Sequence, residues 1–580
     1  MRNGNRVLAL SMLGLLYGAG TLAAEQPKAF VPVTDAMIEN PDPANWLMWR
    51  RTQSIWGYSP LKQVNKGNVG KLQLAWTRGI GPGVQEGTPL VYNGTLFFPH
   101  PSDLVQAVDA KTGALKWQYR RTLPEDLGKF FPTPTTNRNL AIFDKLIIDT
   151  SSDDFAYALD AETGKLVWET RILEYQKGAQ QTSGPLIVKG KAISGRGCEP
   201  EGGPDACVII AHDAKTGKEL WRTRTIPRPG EPGSETWADL PDEARWHVGA
   251  WMVPSYDPEF NLVYIGTSVT SPAPKFALGG NDKEHLYHNS TLAINPDTGK
   301  IVWHYQHVID HWDLDHPFER MLLDTAVAPD RSEVTWMNPR IKPGEKRKVL
   351  TGIPGKTGII YTLDRQTGEF LWARPTVYQN VVSNIDGATG KVTVNPATIM
   401  TSTASTVLAC PSSAGGKNWP SGAYSPDSGM MYFPMRNTCS MVTPISNKPT
   451  LDSLYAIARK DAPIPGFSGQ LGTVQAFSVA TGKKTWSIEL PNVPLSLMTT
   501  GGGLLFGGDL DGNFRAYDDK TGKVLWEVQL NSPVSGFPVT YSVDGKQYVA
   551  VSTGNILAGA RGGNGSVPPV SALYVFALPN

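Results

Sequence analysis

The 580-residue sequence predicts an all-β protein folded as an eight-bladed β-propeller. Three observations predict this fold: a repeated motif, short apolar strands on both sides of it, and a tryptophan that ends each copy. Self-similarity along a chain indicates a repeat architecture. Repeats of about forty residues with four short strands are typical of propeller blades.

The repeated motif has the form D-x-x-T-G-x-x-x-W, and seven segments follow it, two of them with asparagine or serine in place of aspartate. Aspartate can accept backbone N–H bonds and glycine can adopt positive φ, so the D-x-x-T-G part predicts a hairpin turn. The tryptophan stands at a fixed distance behind the glycine, where we expect it to pack over the turn of a neighbouring unit. The seven copies end at Trp117, Trp168, Trp221, Trp303, Trp372, Trp486 and Trp526.

Alternating apolar residues around the motif predict the strands. Leu115 and Trp117, for example, share one face of a strand, as a period of two requires. An eighth, degenerate copy ends at Trp76, and the longest interval, from Trp372 to Trp486, can hold one loop-rich blade plus long insertions. Eight blades is the prediction and seven the alternative. Insertions on one rim are expected to build the functional site.

The N-terminal residues 1–24 have the pattern of a secretory signal. Arg2 and Arg6 precede an apolar run, and small residues follow it. The alternative, a membrane anchor, needs a longer apolar span. We therefore expect residues 25–580 to form a single propeller domain, without a membrane span, in the periplasm.

Charge and cysteine content narrow the class of protein. The chain has 54 Lys+Arg and 53 Asp+Glu, a balance that gives no reason to expect nucleic acid or an anionic membrane as partner. Four cysteines in an exported chain predict two disulfides. A C-x-x-C-H motif is absent, so any electron carrier is expected to be a separate molecule. The cysteines are Cys198, Cys207, Cys410 and Cys439.

Residues outside the repeat carry the functional prediction, because the same repeats also build binding scaffolds. The densest group is acidic, with Asp310, Asp313 and Asp315 close together. Asp313 and Asp315 are two residues apart, so they share one face of a strand, or converge on one cation from a loop. Facing carboxylates repel unless a metal or a proton separates them. A metal site and a solvated acidic loop are both open readings of this segment.

Three further positions interrupt the repeat. Glu199 follows a flexible glycine-containing segment, Trp251 ends no repeat unit, and Arg138 stands alone between repeats. Each taken alone also fits a surface acid, a core tryptophan or a surface arginine. Their combination is what points to a function.

Together these positions resemble the PQQ-dependent alcohol dehydrogenases of the methanol and ethanol type. The resemblance runs from Trp46 to the last strand and includes the T-G-x-x-x-W ending. It implies an eight-bladed propeller that holds pyrroloquinoline quinone (PQQ) and one metal ion, a lanthanide or Ca²⁺, on its axis. It also implies a small-molecule alcohol as substrate and a soluble cytochrome c as electron acceptor.

The resemblance assigns PQQ contacts residue by residue. Glu86 matches the acid at one edge of the quinone, and Arg138 the arginine beside its carboxylates. Trp251 matches the tryptophan that lies flat against the ring system, and Lys356 the basic residue near the quinone oxygens. Further contacts are assigned to Thr150 or Ser151, Thr182, Gly197, Cys198, Asn418 and Trp419.

Three acids are assigned to the metal and to catalysis. Glu199 resembles the metal-binding glutamate, and Asp313 resembles the aspartate at the metal that acts as catalytic base. Asp315 matches the extra acid that accompanies lanthanide use in this family. Hard cations prefer oxygen ligands, and a more highly charged ion tolerates one more carboxylate.

The chain departs from the family pattern at the metal. The family's G-T-G-N segment, whose asparagine binds the ion, ends here in Val269. Either Thr267, Ser268 or Thr270 supplies an oxygen instead, or the metal shell differs.

Two other departures concern the disulfide and the substrate. The family's adjacent cysteine pair is absent, so Cys198 and Cys207 are expected to close a different ring, while Cys410 and Cys439 fit the family's second disulfide. The substrate-side segment His316–Phe318 does not match the methanol enzymes.

The sequence therefore predicts a periplasmic quinoprotein that oxidises an alcohol other than methanol by hydride transfer to metal-bound PQQ. A non-catalytic envelope scaffold is the alternative from another class, and a relative that has lost its cofactor is a variant of it. A PQQ enzyme that acts on an aldehyde, an amine or a sugar is a third reading.

Overall fold

The computed structural model describes residue 1 and residues 29–130, 136–198, 202–446, 454–466, 468–530, 532–556 and 570–579. The predicted signal segment, apart from its first residue, lies outside these ranges. Within them the chain is almost entirely β-strand, loop and short 3₁₀ turn, with one α-helix, α1 (Asp35–Glu39). No helix in these ranges has the length and apolar character needed to span a membrane. The 3₁₀ turns are Val69–Lys71, Leu127–Lys129, Tyr175–Lys177, Pro204–Ala206, Ser234–Trp237, Asp242–Ala244, Lys275–Leu278 and Pro396–Thr398.

Eight sheets among the described residues contain a run of four antiparallel strands, and we number them sheets 1 to 8. Two early strands, β1 (Tyr58–Ser59) and β2 (Gln73–Gly79), join sheets formed late in the chain. Sheet 1 consists of β3 (Leu90–Tyr92), β4 (Thr95–His100), β5 (Leu104–Asp109) and β6 (Leu115–Arg120). Sheet 2 consists of β7 (Ala141–Phe143), β8 (Leu146–Thr150), β9 (Phe155–Asp160) and β10 (Leu166–Arg171).

The next three sheets contain the middle of the chain. The short pair β11 (Ala179–Gln180) and β14 (Gly197–Cys198) accompanies sheet 3, which consists of β12 (Leu186–Val188), β13 (Lys191–Ser194), β15 (Val208–Asp213) and β16 (Glu219–Arg224). Sheet 4 consists of β17 (Ser255–Asp257), β18 (Leu262–Gly266), β19 (Ser290–Ile294) and β20 (Ile301–Gln306). Sheet 5 consists of β21 (Met321–Val327), β22 (Trp336–Met337), β23 (Glu345–Gly352), β24 (Ile359–Asp364) and β25 (Phe370–Pro375).

Sheets 6 to 8 complete the set. Sheet 6 consists of β29 (Ala423–Ser425), β30 (Met430–Arg436), β33 (Gly472–Ser478) and β34 (Lys484–Leu490). Sheet 7 consists of β35 (Pro494–Thr500), β36 (Leu504–Asp509), β37 (Asn513–Asp518) and β38 (Val524–Gln529), with β1 parallel to β35. Sheet 8 consists of β39 (Val539–Val543), β40 (Lys546–Thr553), β41 (Ala572–Ala577) and β2.

The motif forms the predicted turn. Asp109 accepts hydrogen bonds from the backbone N–H and the hydroxyl of Thr112, both at 2.9 Å. Gly113 follows with a φ of 75°, a conformation that glycine adopts without a steric penalty. The hairpin turn between β5 and β6 is therefore built by the three fixed residues of the motif.

Six of the seven motif tryptophans, and Trp76 of the degenerate copy, pack on the turn of the next sheet. A Cβ added to Gly164 in sheet 2 would lie 2.5 Å from the ring of Trp117 in sheet 1. The Trp117 indole N–H also donates to the Ala161 carbonyl at 2.9 Å. The prediction that the tryptophan covers a neighbouring turn is confirmed. The same contact joins Trp76 to Gly113, Trp168 to Gly217, Trp221 to Gly299, Trp303 to Gly368, Trp372 to Gly482 and Trp486 to Gly522.

The first and last of these sheets meet through the ends of the chain. In sheet 8, β2 pairs antiparallel with β41, so that Gln73 lies opposite Ala577. Trp526 of sheet 7 packs edge-on against Phe576 of sheet 8, with 5.2 Å between ring centroids. Sheet 8 therefore contacts sheet 7 through its late strand and sheet 1 through Trp76.

The interval between Trp372 and Trp486 contains two insertions. The first is a hairpin, β26 (Val382–Ile385) and β27 (Val392–Val394), whose Asp386 turn repeats the motif without its tryptophan. The second is a three-stranded sheet of β28 (Val407–Ala409), β31 (Thr438–Pro444) and β32 (Ile457–Pro463), which we call the cap.

Both predicted disulfides are present. Cys410 and Cys439 join the end of β28 to β31 within the cap. Cys198 and Cys207 join β14 to the turn before β15. The first bond lies in the insertion and the second lies beside the candidate site described next.

Candidate active site

The acidic loop after β20 is buried, so the reading of it as a solvated loop is wrong. Asp310, Asp313 and Asp315 are each exposed by 4% or less. Asp310 accepts hydrogen bonds from the Trp312 N–H at 2.6 Å, the Asn289 amide at 2.9 Å and the Leu314 N–H. These bonds fold the loop around Asp310 and leave the other two acids to face cations.

Asp313 lies between two cationic side chains. Its Oδ1 is 2.7 Å from Lys356 Nζ, and its Oδ2 is 3.0 Å from Arg459 Nη2. Burial raises the pKa of Asp313 to about 7, with a further upward contribution from Asp315, while the two cations oppose this. A carboxyl with a pKa near neutrality suits a group that takes and returns a proton.

Asp315 is held in its ionised form. Its Oδ1 accepts the backbone N–H of Val269 at 2.9 Å, and its Oδ2 is 3.3 Å from Lys356 Nζ. Burial alone would raise the pKa of Asp315, but Lys356, the Val269 amide and His247 outweigh burial and place the pKa below its usual range. The pKa values of the two acids therefore shift in opposite directions although one ammonium group contacts both.

Backbone hydrogen bonds, in addition to the ion pairs of its ammonium group, hold Lys356 in position. Its backbone N–H donates to the Asp315 carbonyl at 2.8 Å, and its own carbonyl accepts the Gly416 N–H at 2.8 Å. The preceding Gly355 lies against the ring of His316, where an added Cβ would be 2.2 Å from the imidazole. The loop that carries Lys356 thus packs directly on the residue after Asp315.

A second buried charge pair lies between sheets 1 and 2. Arg138 Nη2 is 2.7 Å from Glu86 Oε2, and both residues are exposed by 1% or less. The Arg138 guanidinium lies 5.0 Å from the centre of the half-buried Trp251 ring. Burial lowers the pKa of Arg138, and the charge of Glu86 opposes this. The structure therefore brings together three of the residues predicted to contact PQQ.

Two hydroxyl groups donate hydrogen bonds to the backbone carbonyl of Trp251, and a third bonds to the segment that carries them. Thr182 and Ser183 donate to the Trp251 carbonyl at 3.5 Å and 2.9 Å. Thr150 donates to the Ser183 carbonyl at 3.1 Å, whereas Ser151 donates to Asp153 at 2.5 Å. Of the two alternatives left by the sequence, Thr150 is the one bonded to the Thr182–Ser183 segment.

The Gly197 and Cys198 backbone lies beside the acidic loop. The His247 Nδ1 hydrogen-bonds to the Cys198 carbonyl, and an added Cβ on Gly249 would be 3.1 Å from the Cα of Gly197. Asp315 contributes to the electrostatic surroundings of His247. Glu199, the predicted metal ligand, lies outside the described residues.

The Asn418 side chain bonds to the protein itself, whereas the indole N–H of Trp419 has no hydrogen-bond partner among the described residues. The Asn418 amide donates to the Ala414 carbonyl at 3.0 Å, and its oxygen accepts the Trp419 N–H at 2.7 Å. The Trp419 ring is 1% exposed and packs on Phe537 with 5.8 Å between centroids. The described contacts of Trp419 therefore place it in the apolar core.

Phe318 lies between Trp251 and a further buried ion pair, Lys417 and Glu319. The sequence assigns it to the substrate side, yet it is 1% exposed and packs edge-on against Trp251, with 5.5 Å between ring centroids. Lys417 Nζ lies 4.9 Å from the Phe318 ring and 2.7 Å from Glu319 Oε2. The Lys417–Glu319 ion pair therefore lies against the phenyl ring of Phe318, and that ring packs on Trp251.

The polar residues beside Val269, the position where the family has its metal-binding asparagine, already form hydrogen bonds within the protein. Val269 is fully buried in an apolar cluster, and only its backbone reaches Asp315. Thr267 donates to the Tyr287 carbonyl at 2.5 Å, Ser268 accepts the Gly249 N–H at 2.8 Å, and Thr270 donates to the Pro272 carbonyl at 3.1 Å.

The donors fit a hard cation only in part. Asp313 and Asp315 direct oxygens at one positive atom, Lys356 Nζ, and such oxygens are the ligands that Ca²⁺ and lanthanides prefer. Among the described residues, however, no group of three or more His, Cys, Asp or Glu side chains could hold a metal ion. The pair alone does not complete a coordination shell.

The pair of Arg138 and Glu86 fits an anionic, flat cofactor. Arg138 Nε has no hydrogen-bond partner among the described residues, and the amide of the fully buried Gln181 likewise lacks one there. A buried guanidinium with spare donors favours a carboxylate-bearing ligand. The exposed part of Trp251 supplies an aromatic surface beside them.

Two contributors escaped the sequence analysis. Arg459 belongs to β32 of the cap, inside the longest insertion, where no repeat fixes its position. His247 precedes Trp251 by four residues, and that proximity is a signal that could have identified it.

Comparisons with known proteins agree with this geometry. The family model for the glucose/ethanol/alcohol dehydrogenase β-propeller domain (PQQ) matches residues 46–384 and 467–549. The dehydrogenase subunit of the quinone alcohol dehydrogenase of Komagataeibacter europaeus is 33% identical over 90% of this chain and 73% of its own length. The lanthanide-dependent methanol dehydrogenase of Methylacidiphilum fumariolicum is 32% identical over 88% of this chain and 85% of its own length.

Solved structures give the same result. The quinohemoprotein alcohol dehydrogenase ADHIIG of Pseudomonas putida has a TM-score of 0.84 at 28% identity, covering 95% of this chain and 83% of that one. A europium-containing methanol dehydrogenase has a TM-score of 0.81 at 28% identity, covering 94% and 99%. Fold, buried charge pairs and sequence similarity agree: the chain belongs to the PQQ-dependent alcohol dehydrogenase family.

Proposed function

We propose that this protein is a periplasmic quinoprotein that oxidises an alcohol other than methanol and passes the electrons to a separate cytochrome c. The observation that carries this proposal is Asp313, a buried carboxyl with a pKa of about 7 held between Lys356 and Arg459. When bound, PQQ supplies the two-electron acceptor for the alcohol carbon.

The Glu86–Arg138 pair and Trp251 are proposed to bind the cofactor. Arg138 offers spare donors to a carboxylate, Glu86 keeps the guanidinium charged in a buried place, and Trp251 presents an aromatic face. Thr150, Thr182 and the Gly197–Cys198 backbone line the same region. Asn418 and Ser151 are the weaker assignments, because their described side-chain bonds are to the protein, whereas the buried Trp419 indole N–H has no hydrogen-bond partner among the described residues.

Asp313 is proposed to be the base. Its ionised form accepts the proton of the substrate hydroxyl within hydrogen-bond reach. Lys356 fixes Oδ1 at 2.7 Å and also contacts Asp315, so the ammonium keeps the two acids from repelling each other. Asp315 stays ionised and keeps a negative charge beside the base at all ordinary pH values.

One metal ion is proposed to bind through Glu199, Asp313 and Asp315. The convergence of the last two acids on one cation supports a cationic centre at this place. The additional carboxylate of Asp315 favours a lanthanide over Ca²⁺, because higher ionic charge compensates more ligand charge.

The eight sheets are proposed to be eight blades of one ring. Motif tryptophans link each sheet to the next, and Trp526 meets Phe576 in the sheet that also contains Trp76. This arrangement supports eight blades over the alternative of seven.

The substrate proposal rests on the His316–Phe318 segment, which departs from the methanol type and turns its phenyl ring against Trp251.

The test is reconstitution of the purified protein with PQQ and either Ca²⁺ or La³⁺, followed by dye-linked oxidation of methanol, longer primary alcohols, secondary alcohols and aldehydes. We expect quinone absorbance and turnover of longer alcohols with La³⁺. Absence of both absorbance and turnover would refute the enzyme. Methanol as the best substrate would refute the specificity, and activity with Ca²⁺ alone would refute the role of Asp315.

A further inference from the structure

The cap reaches the acidic loop through Arg459 of β32. Arg459 Nη2 lies 3.0 Å from Asp313 Oδ2, while Lys356 holds the other oxygen of the same carboxylate. The contact joins residues 146 positions apart in the chain. One carboxylate is therefore held by a loop of sheet 5 on one side and by an insertion on the other.

The two holders of Asp313 differ in accessibility. The Lys356 side chain is 8% exposed, whereas the Arg459 side chain is 31% exposed. Asp313 itself has a φ of 70°, in the left-handed region, so regular structure does not set the direction of its side chain. Contacts with neighbouring side chains must set that direction instead.

The segment before β32 fixes the approach of Arg459. Tyr455 accepts the Ala273 N–H at 3.0 Å through its carbonyl, and its ring packs edge-on against His247 with 5.2 Å between centroids. The Arg459 guanidinium lies 5.2 Å from the centre of that same tyrosine ring. Tyr455 thus joins the cap to sheet 4 and provides the surface on which the guanidinium rests.

We propose that Arg459 is a positioning residue that orients Asp313 for proton transfer, and that it does so only while the cap is docked. The inference rests on the proposed function of Asp313 as base. A guanidinium presents N–H donors in a fixed plane, which sets the direction of a carboxylate, whereas an ammonium supplies charge without that direction. Arg459 therefore adds orientation to the charge that Lys356 provides.

This role predicts a specific kinetic signature. Loss of an interaction that matters only at the chemical step lowers kcat and kcat/KM together and leaves KM unchanged. Arg459→Ala should lower kcat by about 10- to 100-fold with KM within about twofold, as expected for a base that has lost its alignment. Arg459→Lys should recover part of the loss.

Lys460 provides the matched control. It is the next residue on β32, it is exposed, and successive strand side chains point to opposite faces. Lys460→Ala removes a cation from the same strand and should leave kcat unchanged. In the loaded enzyme, millimolar guanidinium should restore part of the activity of Arg459→Ala and should not affect Lys460→Ala.

A second measurement does not need the cofactor. Hydrogen exchange of residues 457–463 in the unloaded protein should rise in Arg459→Ala and also in Asp313→Asn, which weakens the contact from its other side, and should not rise in Lys460→Ala. A kcat of Arg459→Ala within twofold of the control, or a rise in KM alone, would overturn the positioning role. Unchanged exchange in both contact variants would overturn the docking. If the wild-type protein binds no PQQ and oxidises no alcohol, the proposed function fails, and with it the positioning role.

Discussion

Two buried charge groups of this molecule, one around Arg138 and one around Asp313, are built differently. Glu86 and Arg138 form an isolated pair of one acid and one base beside Trp251. Asp313 shares its surroundings with a second acid and two bases. Both groups are deeply buried, yet burial lowers the pKa of Arg138 and raises that of Asp313 to about 7. The difference teaches that the same desolvation prepares one group to accept an added anion and the other to exchange a proton.

The largest expected effect is on turnover. Asp313→Asn keeps the size of the side chain and removes its basicity, so kcat should fall by about 10²- to 10⁴-fold. Quinone absorbance after reconstitution should remain, because Glu86, Arg138 and Trp251, which are proposed to bind the quinone, are unchanged in this variant. Retained turnover would remove Asp313 from the role of base and would erase the contrast between the two groups.

The next effect is on stability. Glu86→Ala leaves the Arg138 guanidinium buried without its partner, which should cost about 3–5 kcal/mol in the free energy of unfolding. The double variant Glu86→Ala/Arg138→Met removes both charges and should recover much of that loss. Urea unfolding of the three proteins measures this. A loss below about 1 kcal/mol in the single variant would mean that the pair is not a buried, mutually dependent unit.

Two tryptophans sharpen the comparison between packing and binding. Trp117→Ala should cost about 3 kcal/mol, since it removes a ring that covers the Gly164 turn and donates to Ala161. Trp251→Ala removes a half-buried ring and should cost about 1 kcal/mol, while it weakens PQQ binding by at least about tenfold. Equal stability losses, with unchanged cofactor affinity, would contradict the assignment of Trp251.

The last prediction concerns the pH dependence of stability, where the change over any one pH unit is small. Burial, with a contribution from Asp149, raises the pKa of Asp103 to about 8, although the Ser152 N–H donates to it at 2.7 Å. A raised pKa in the folded state means that stability is fully present below the ordinary aspartate pKa and is lost as pH rises through about 8. The loss is at most about 1.4 kcal/mol per pH unit for one group. Asp103→Asn should flatten the dependence of unfolding free energy on pH between 5 and 8. An unchanged slope would show that Asp103 is ionised in the folded protein.

The repeated motif is the part of the sequence from which local structure could be predicted directly. Asp109, Thr112 and Gly113 form the predicted turn because three neighbouring residues suffice to build it. The hairpin at Asp386 escaped because its turn has no tryptophan, and Tyr305 instead donates to the Gly390 carbonyl at 2.7 Å.

The sequence predicted site residues only at positions that the family resemblance assigns. Glu86, Arg138 and Trp251 do meet, as do Asp313, Asp315 and Lys356. The sequence could not predict the place of Arg459 in the site, because a contact across 146 residues depends on how an insertion folds back over the core. The burial of Phe318 against Trp251 likewise depends on tertiary packing that periodicity does not encode.

The pairing of β2 with β41 has a consequence for the order of events during biosynthesis. Residues near position 75 find their strand partners only after residues 572–577 have been made, almost five hundred residues later. Pairings between such distant segments close late and slowly. Until then, the backbone of β2 lacks its β41 partner. The closure of sheet 8 therefore depends on the last strand of the chain to be made.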